Sequence, residues 1–323
     1  MIRKMIRVMH RHLLKPEYLW RPSQVLRLLS FRRSVEIKPL SLPWHCTINA
    51  CSAELIGRFI AKYGVYDLPL TEAVMRLTDV GDSAVDVGAN IGYVTLVLAR
   101  SAGPAGRVCC FEPNPDLLPV LRRNVHNWSS LRVAPIQIET IALSDRNGEG
   151  VLRFPDDYAS NKGLASLELG ATGVPVSVRR LDALDEVNRI GIMKVDVEGH
   201  EAAVFIGAEK LLDRKLVRDI LFEEHEAYPA RSHKVLLGHG YQIFRVTGSM
   251  WRPLLLPPEA PPCRTFLPPD YPPNFLATTD PERACARFRA GGWCALSARS
   301  RGDLRSTQAK WFSAGGCSVG FTR

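Results

Sequence analysis

From residue 84 onward, short apolar runs alternate with longer amphipathic segments, and this alternation restricts the fold more than any other feature. The apolar runs are nearly continuous, as expected for strands that are buried on both faces. Strands that alternate with helices are typical of a parallel sheet covered by helices on both sides. We therefore predict a doubly wound α/β fold. Its core strands are predicted at residues 84–87, 107–111, 134–141, 192–195, 219–223 and 241–246.

Charge divides the chain as clearly as hydrophobic pattern does. Residues 1–39 hold ten basic and two acidic side chains, so this segment carries a charge of +8, whereas the whole chain carries +9. Such an arm could contact an acidic partner, a nucleic acid or an anionic membrane surface. We predict a basic, partly helical extension over 1–52, an enzyme domain over 53–280 and a helical or irregular tail over 281–323.

Several segments around the core also have recognisable patterns. Additional strands are predicted at 151–154 and 174–179, on either side of a stretch rich in glycine and serine. Nine prolines in residues 253–273 predict a loop without regular structure. Residues 274–278 are then predicted to return to the sheet as an edge strand. Residues 297–323 show little periodicity, so we expect them to be disordered.

The start of the chain and its cysteines bear on the compartment. Basic residues such as Arg7 and Arg11 interrupt the first apolar run, so we do not expect a secretory signal. No stretch of about 18 apolar residues predicts a transmembrane helix. The eight cysteines include no C-x-x-C pair, a pattern that indicates reduced thiols rather than zinc ligands. These features predict a cytoplasmic protein.

The strongest local signal is the segment 86–92, with the sequence DVGANIG, between a predicted strand and a predicted helix. Gly88 and Gly92 would let the backbone turn tightly and approach a ligand. A dinucleotide-binding loop would have glycine in place of Asn90. Asp86 adds a negative charge that suits an amino group better than a pyrophosphate. The methionine part of S-adenosylmethionine carries such an amino group, so the loop predicts that cofactor.

A second acid follows the next predicted strand, where a nucleoside would lie. Glu112, in the segment FEPNP, could accept hydrogen bonds from both ribose hydroxyls. Asn114 and Pro115 are suited to the N-cap and the first position of the following helix, and Asn114 is a further candidate cofactor contact. Asp145 follows the third predicted strand, where it could bind the adenine amino group or cap a turn.

Ionisable side chains gather at the end of the fourth predicted strand. Lys194, Asp196, Glu198 and His200 lie within seven residues, and His225 follows the fifth strand. Ligands bind beyond the carboxyl ends of strands in sheets of this type. We predict that Asp196 or His225 removes a proton from the molecule that receives the methyl group. Lys194 and Glu198 are predicted to hold the neighbouring ionisable side chains in place. A purely structural salt-bridge network is the alternative for these residues, and a hydrogen-bonded structural histidine is the alternative for His225.

These segments together resemble the FkbM family of methyltransferases over about residues 80–280. The resemblance implies a class I methyltransferase fold of Rossmann-like type, with S-adenosylmethionine as cofactor. It also implies methyl transfer, typically to a hydroxyl of a natural product, a sugar or a lipid-like acceptor. It implies a reaction-site role for Asp196 and cofactor contacts from Asp86, Gly88, Asn90, Gly92 and Glu112. The matching segments are DVGANIGYVTL (86–96), FEPNP (111–115), ALSD (142–145), KVDVEGHE (194–201) and NFLAT (274–278).

The sequence also bears on three other functions. The nearly neutral core and the absence of a D-P-P-Y-like segment disfavour nucleic acid as the acceptor, although the basic arm could still recruit RNA. A nicotinamide oxidoreductase would need the missing glycine at position 90. A module that binds the cofactor without catalysis is a third alternative. Asp196 and Glu224 could contribute to a metal site, but no complete ligand set is visible, so we predict no metal.

Overall fold

The computed structural model describes most of the 323-residue chain. Predictions for residues 1–14, for 298–323 and for most of the proline-rich stretch concern residues outside the described ranges. Those ranges are 15–155, 158, 163, 165–168, 173–184, 189–261 and 273–297.

The described residues form short helices and strands, which we number in chain order. The helices are α1 (Pro16–Trp20), α2 (Ser23–Ser30), α3 (Leu55–Tyr63), α4 (Leu68–Leu77), α5 (Tyr93–Ala102), α6 (Leu118–Trp128), α7 (Glu201–Ile206), α8 (Glu209–Asp213), α9 (Arg231–Gly238) and α10 (Pro281–Arg289). The strands are β1 (Ile37–Ser41), β2 (Thr47–Cys51), β3 (Ser83–Val87), β4 (Arg107–Phe111), β5 (Ile136–Glu139), β6 (Ala142–Leu143), β7 (Gly148–Arg153), β8 (Ser166–Glu168), β9 (Val174–Arg179), β10 (Ile190–Val195), β11 (Val217–Glu223), β12 (Gln242–Gly248), β13 (Pro253–Leu256) and β14 (Asn274–Thr278).

An eight-stranded sheet forms the centre of the fold, in the order β13-β12-β14-β11-β10-β3-β4-β5. The five strands from β11 to β5 are parallel, and β14 runs antiparallel to both of its neighbours. The chain builds outward from β3 through β4 to β5, and then crosses over to β10 and β11 on the other side. The order therefore reverses between β3 and β10, where sheets of this type bind ligands. The predicted α/β fold is confirmed.

The last part of the sheet differs from the sequence prediction. Residues 274–278 form β14, which is an interior strand rather than the predicted edge strand. All five of its residues are buried, so its apolar side chains pack on both faces. The edge is formed instead by β13, which lies within the stretch predicted to lack regular structure. Pro253 is tolerated at its first position because an edge strand leaves one side without ladder hydrogen bonds.

Two smaller sheets extend the core. The predicted strands near 151–154 and 174–179 are β7 and β9 of a four-stranded sheet in the order β6-β9-β7-β8. Residues 37–51 of the predicted N-terminal extension, for which no strand was predicted, form the β1–β2 hairpin. This hairpin packs on α6, where Trp128 Nε1 donates to the carbonyl of Thr47 at 2.8 Å. Among the described residues, none of the helices is long and apolar enough to cross a membrane. The cytoplasmic location stays a prediction.

The segment after β14 is attached to the core by a buried ion pair on α4. Arg76 Nε lies 2.7 Å from Glu72 Oε1, and Glu72 is fully buried. The Glu72 carboxylate also accepts the backbone N–H groups of Cys294 and Ala295, at 3.0 and 2.8 Å. The carbonyl of Ala295 in turn accepts the indole N–H of Trp44 at 2.9 Å. The segment after β14 is thus held between Glu72 on α4 and Trp44. The predicted domain boundaries stay predictions.

We expect Glu72→Ala to destabilise the protein by about 3–5 kcal/mol, because it leaves the Arg76 guanidinium buried beside no carboxylate. The measurement is the free energy of unfolding from urea denaturation. Glu149 is an exposed acid on β7, so Glu149→Ala should change that free energy by less than about 0.5 kcal/mol. Equal stability of the two variants would show that the ion pair does not hold the C-terminal segment.

Candidate active site

A cavity of about 390 Å³ opens at the carboxyl ends of β3, β4, β10 and β11, where the strand order reverses. Its volume lies within the range of sites that hold cofactors and other small molecules. Eight of the eleven predicted site residues line it, although they come from four separate segments of the chain. These are Gly88, Asn90, Glu112, Asn114, Lys194, Asp196, Glu198 and His225.

The glycine loop after β3 brings two strand ends into close contact. Gly88 has φ of 75°, and a Cβ atom at this position would overlap the carbonyl oxygen of Asp196. Asn90 also has a left-handed backbone, with φ of 54°, and its Oδ1 accepts the N–H of Ile91. Asparagine tolerates this region better than most residues. Gly92 does not line the cavity, and it lets α5 pack against Leu121 and Trp128 instead.

Glu112 is placed at the end of β4 with its carboxylate beside this loop. It is 5% exposed, and its two oxygens accept the backbone N–H groups of Asn90 and Asn114 at 2.7 and 2.9 Å. Burial raises the pKa of Glu112 to about 7, against the opposing effect of these two hydrogen bonds. Each carboxylate oxygen still has a free lone pair. Glu112 therefore shapes the loop and can also accept hydrogen bonds from a ligand in the cavity.

The start of α6 differs from the prediction. The helix begins at Leu118, so Asn114 and Pro115 are not its N-cap and first residue. Asn114 Oδ1 accepts the N–H of Asp116 at 3.0 Å, which forms a turn before the helix. The Asn114 amide also donates to the hydroxyl of Tyr158 at 2.9 Å. Asn114 thereby ties the loop after β4 to the stretch that follows β7.

Asp86, predicted to contact the cofactor, lies beneath the cavity floor rather than on its wall. It is fully buried and accepts a hydrogen bond from Thr95 Oγ1 at 2.6 Å. Its other oxygen, Oδ1, lies 3.4 Å from Lys194 Nζ. Asp86 and Lys194 are register partners on adjacent parallel strands, so their side chains project from the same face. Asp86 therefore acts on the cavity through Lys194.

Lys194 connects the glycine loop with the acids around the cavity. Its ammonium group donates to the carbonyl of Gly88 at 2.7 Å and lies 3.5 Å from Asp196 Oδ2. Burial by itself would lower the pKa of Lys194, but the carboxylates of Asp196 and Asp86 outweigh that effect and raise the pKa. The ammonium group therefore stays charged, and it fixes the position of the Asp196 carboxylate.

His225 and Glu198 form a second pair at the same end of the cavity. His225 Nε2 lies 3.5 Å from Glu198 Oε2, and this carboxylate raises the pKa of His225. Glu198 has φ of 52°, and Gly199 follows with φ of 87°. Two consecutive left-handed residues are uncommon when the first is not glycine, and such backbone is typical of functional sites. The turn projects the Glu198 side chain toward His225.

Glu223 was not among the predicted site residues, although it lines the cavity at the end of β11. Burial and then the charge of Asp196 raise the pKa of Glu223 to about 10, so the carboxyl group is neutral near pH 7. Its Oε1 lies 4.0 Å from His225 Nε2. As a protonated acid it can donate a hydrogen bond as well as accept one. Its position as the last residue of a buried strand was the signal available in the sequence.

Asp145 lies outside the cavity lining, beside His200. Its Oδ1 accepts a hydrogen bond from Ser144 Oγ at 3.1 Å, and Ser144 Oγ is 2.8 Å from His200 Nε2. Burial lowers the pKa of His200, so its ring is neutral near pH 7. Both roles predicted for Asp145, binding the adenine amino group and capping a turn, stay predictions. His200 itself lines the cavity.

Apolar side chains form the remaining walls. Tyr66 and Leu70 contribute from the α3–α4 region, and Leu152 and Leu167 contribute from the four-stranded sheet. These walls come from the helices that precede β3 and from the small sheet. Among the described residues of the proline-rich stretch, none lines the cavity. The cavity therefore combines one acidic end with two apolar sides.

Glu224, one of the two residues considered for a metal site, has other partners in the structure. Glu224 accepts hydrogen bonds from Ser232 Oγ and from the N–H of Glu226, and it does not line the cavity with Asp196. Within the described ranges, no group of three or more His, Cys, Asp or Glu residues is arranged to hold a metal ion.

The cavity residues suit S-adenosylmethionine, whose sulfur and amino groups carry positive charge. The carboxylates of Asp196 and Glu198 face the cavity. The ammonium group of Lys194 is directed at the Gly88 carbonyl oxygen and the Asp196 carboxylate. Glu112 has free lone pairs for ribose hydroxyls. A doubly wound sheet with reversed β14, a glycine loop after β3 and an acid after β4 define the class of S-adenosylmethionine-dependent class I methyltransferases.

Comparison with known proteins identifies the family. The sequence-family model described as "methyltransferase FkbM domain" matches residues 86–243. The 31-O-demethyl-FK506 methyltransferase FkbM of Streptomyces tacrolimicus is 32% identical, over 50% of this chain and 74% of that protein. The hexuronic acid methyltransferase AglP of Haloferax volcanii is 30% identical, over 57% of this chain and 74% of that protein. The chain belongs to the FkbM methyltransferase family.

Among solved structures, methyltransferase FkbM from Methylobacillus flagellatus matches with 17% identity and a TM-score of 0.38, over 61% of this chain and 43% of that chain. Family membership confirms the predicted enzyme class and cofactor: the protein is an S-adenosylmethionine-dependent methyltransferase. The nicotinamide oxidoreductase alternative is therefore wrong.

Proposed function

We propose that this enzyme methylates a hydroxyl group of a small-molecule, sugar or lipid-like acceptor. The observation that carries the proposal is the His225–Glu198 pair at the acidic end of the cavity. A hydroxyl oxygen is a poor nucleophile until its proton is removed, whereas an uncharged amine needs no such base. The name of the relative from Streptomyces tacrolimicus also specifies an oxygen position on its acceptor.

When bound, S-adenosylmethionine supplies a methyl group that is activated by the adjacent positive sulfur. The protein must then hold the acceptor oxygen in line and remove its proton. Good alignment of reacting groups can contribute up to ~7–11 kcal/mol. The Tyr66 and Leu70 wall can position an acceptor from one side, and the neutral carboxyl group of Glu223 can donate a hydrogen bond to its oxygen.

His225 is the proposed base, and Glu198 orients its ring. A carboxylate beside an imidazole stabilises the imidazolium that forms when the ring takes a proton. Asp196 is the alternative base, but its carboxylate already faces the Lys194 ammonium at 3.5 Å. We assign Asp196 to holding the positive cofactor and the network, together with Lys194. Glu112 and the Gly88–Asn90 loop are assigned to the nucleoside part of the cofactor.

The proposed function is tested with S-adenosylmethionine that carries a deuterated methyl group. The acceptors are hydroxylated polyketides, uronic acids and hydroxylated lipids, each paired with an analogue that has an amine in place of the hydroxyl. Mass spectrometry of the products locates the label. Transfer to oxygen in any hydroxyl acceptor, with none to its amine partner, is expected. Label found on nitrogen or carbon alone would contradict the proposal.

The proposed base predicts a specific pH dependence. Protonated His225 cannot accept a proton, so kcat should rise as the pH increases through its raised pKa. Glu198→Gln removes the carboxylate that raises this pKa, and the inflection in the kcat profile should therefore move to lower pH. Glu226 is an exposed acid next to His225 in the chain, so Glu226→Gln is the matched control. If the inflection stayed at the same pH in Glu198→Gln, the His225–Glu198 pair would not be the source of the pH dependence of kcat.

A further inference from the structure

Exposed apolar side chains are concentrated near the start of the described chain. Large hydrophobic residues are exposed at nine described positions, and six of these lie within residues 19–37. Single exposed apolar residues are common on protein surfaces, but a concentration of them marks an interaction site. The six are Leu19, Trp20, Leu26, Leu29, Val35 and Ile37.

Helix α2 exposes two leucines although its most buried residue is a glutamine, and its Val25 and Leu28 are half-buried. Its buried residue is Gln24, whose side-chain amide donates to the carbonyl of Lys62 on α3 at 3.2 Å. Leu26 and Leu29 are 69% and 78% exposed, and their spacing places them on one face of the helix. A helix that buries glutamine and exposes leucine is expected to have an apolar medium on its outer side.

Two tryptophans lie near this helix. Trp20 ends α1, directly before α2, and its indole N–H donates to the carbonyl of Met250 at 3.3 Å. The next residue, Trp251, is 64% exposed. Tryptophan is enriched where an apolar phase meets water, because its ring is apolar and its N–H is polar. We call Trp20, Leu26, Leu29 and Trp251 the α2 surface.

Charge indicates what this surface contacts. Arg27, Arg32 and Arg33 are exposed beside it, and the first 39 residues carry a net charge of +8. Basic side chains next to exposed leucine and tryptophan are typical of helices that lie in the interface of an anionic bilayer. Binding of nucleic acid would use the arginines but would not account for exposed leucines. We infer that the α2 surface docks on an anionic lipid membrane. This inference does not depend on the proposed function.

The test is co-sedimentation of the full chain with phosphatidylcholine vesicles, with and without phosphatidylglycerol. We expect binding that requires phosphatidylglycerol and weakens with salt. The double variant Leu26→Ser, Leu29→Ser should lower vesicle affinity about tenfold or more. The double variant Arg32→Gln, Arg33→Gln should lower it by roughly 30-fold. The matched control is Val80→Ser, Leu237→Ser, since both residues are exposed elsewhere, and it should bind as the wild type does.

Three kinds of outcome would overturn the inference. The first concerns the vesicles: the wild-type chain fails to bind phosphatidylglycerol vesicles, or the leucine variant binds them equally well. The second is an RNA gel shift that is lost in the arginine variant and kept in the leucine variant, which would assign the arm to nucleic acid. The third is a wild-type dimer that the leucine variant dissociates without vesicles, which would assign the surface to a second copy. Unchanged S-adenosylmethionine binding in every variant serves as the check on folding.

Discussion

Replacement of Glu112 by alanine should lower the affinity for S-adenosylmethionine and S-adenosylhomocysteine by roughly 10²–10⁴-fold. Above pH 7, where the Glu112 carboxylate is ionised, two hydrogen bonds to it contribute about 1.5–3 kcal/mol each, and both would be lost with the carboxylate. The substitution also removes the acceptor for the buried N–H groups of Asn90 and Asn114. The loop around Gly88 would then lose part of its shape as well.

Isothermal titration of the purified chain with each ligand measures this effect. Glu139→Ala is the matched control, because Glu139 ends the neighbouring strand β5 and does not line the cavity. Glu112→Gln should show a smaller loss, since its amide keeps one acceptor oxygen. If Glu112→Ala bound both ligands as the wild type does, the nucleoside would have to lie elsewhere. Wild-type protein that bound neither ligand would show that these residues do not form a competent cofactor site.

Replacement of His225 by alanine should lower kcat by about 10²–10⁴-fold, the usual contribution of a positioned base. Cofactor affinity should stay unchanged, because the proposed cofactor contacts come from Asp196 and from the loops after β3 and β4, and none comes from His225. The measurement is turnover with an acceptor identified in the labelling experiment, together with cofactor titration. His126, an exposed histidine on α6, provides the control variant His126→Ala.

Asp196→Asn separates the two candidate bases. This substitution leaves Lys194 without one of its carboxylate partners, so we expect weaker cofactor binding and a higher KM along with any change in kcat. A large loss of kcat in Asp196→Asn, with His225→Ala unaffected, would make Asp196 the base. Full turnover in both variants with unchanged cofactor affinity would show that neither residue takes the proton.

Local patterns in the sequence were sufficient for the fold class and for much of the cavity. The order of apolar runs predicted the parallel strands, because a strand buried on both faces needs apolar residues throughout. Gly88 and Glu112 could be found because a strand–loop–helix connection places its own residues at the strand end. The clustering of Asp196 and His225 followed from the rule that parallel strands bring their carboxyl ends to one edge of the sheet.

Tertiary structure decided whatever depended on pairing between distant segments. The sequence places 274–278 after a proline-rich stretch, but only strand pairing shows β14 inside the sheet between β11 and β12. Asp86 is predicted from the sequence to contact the cofactor, and only its register opposite Lys194 shows that it lies beneath the residues that line the cavity. Glu223 is a site residue because the pairing of β11 with β10 brings it to the cavity, where burial and the charge of Asp196 raise its pKa. Burial and charge at one position depend on residues far away in the chain, which no local pattern records.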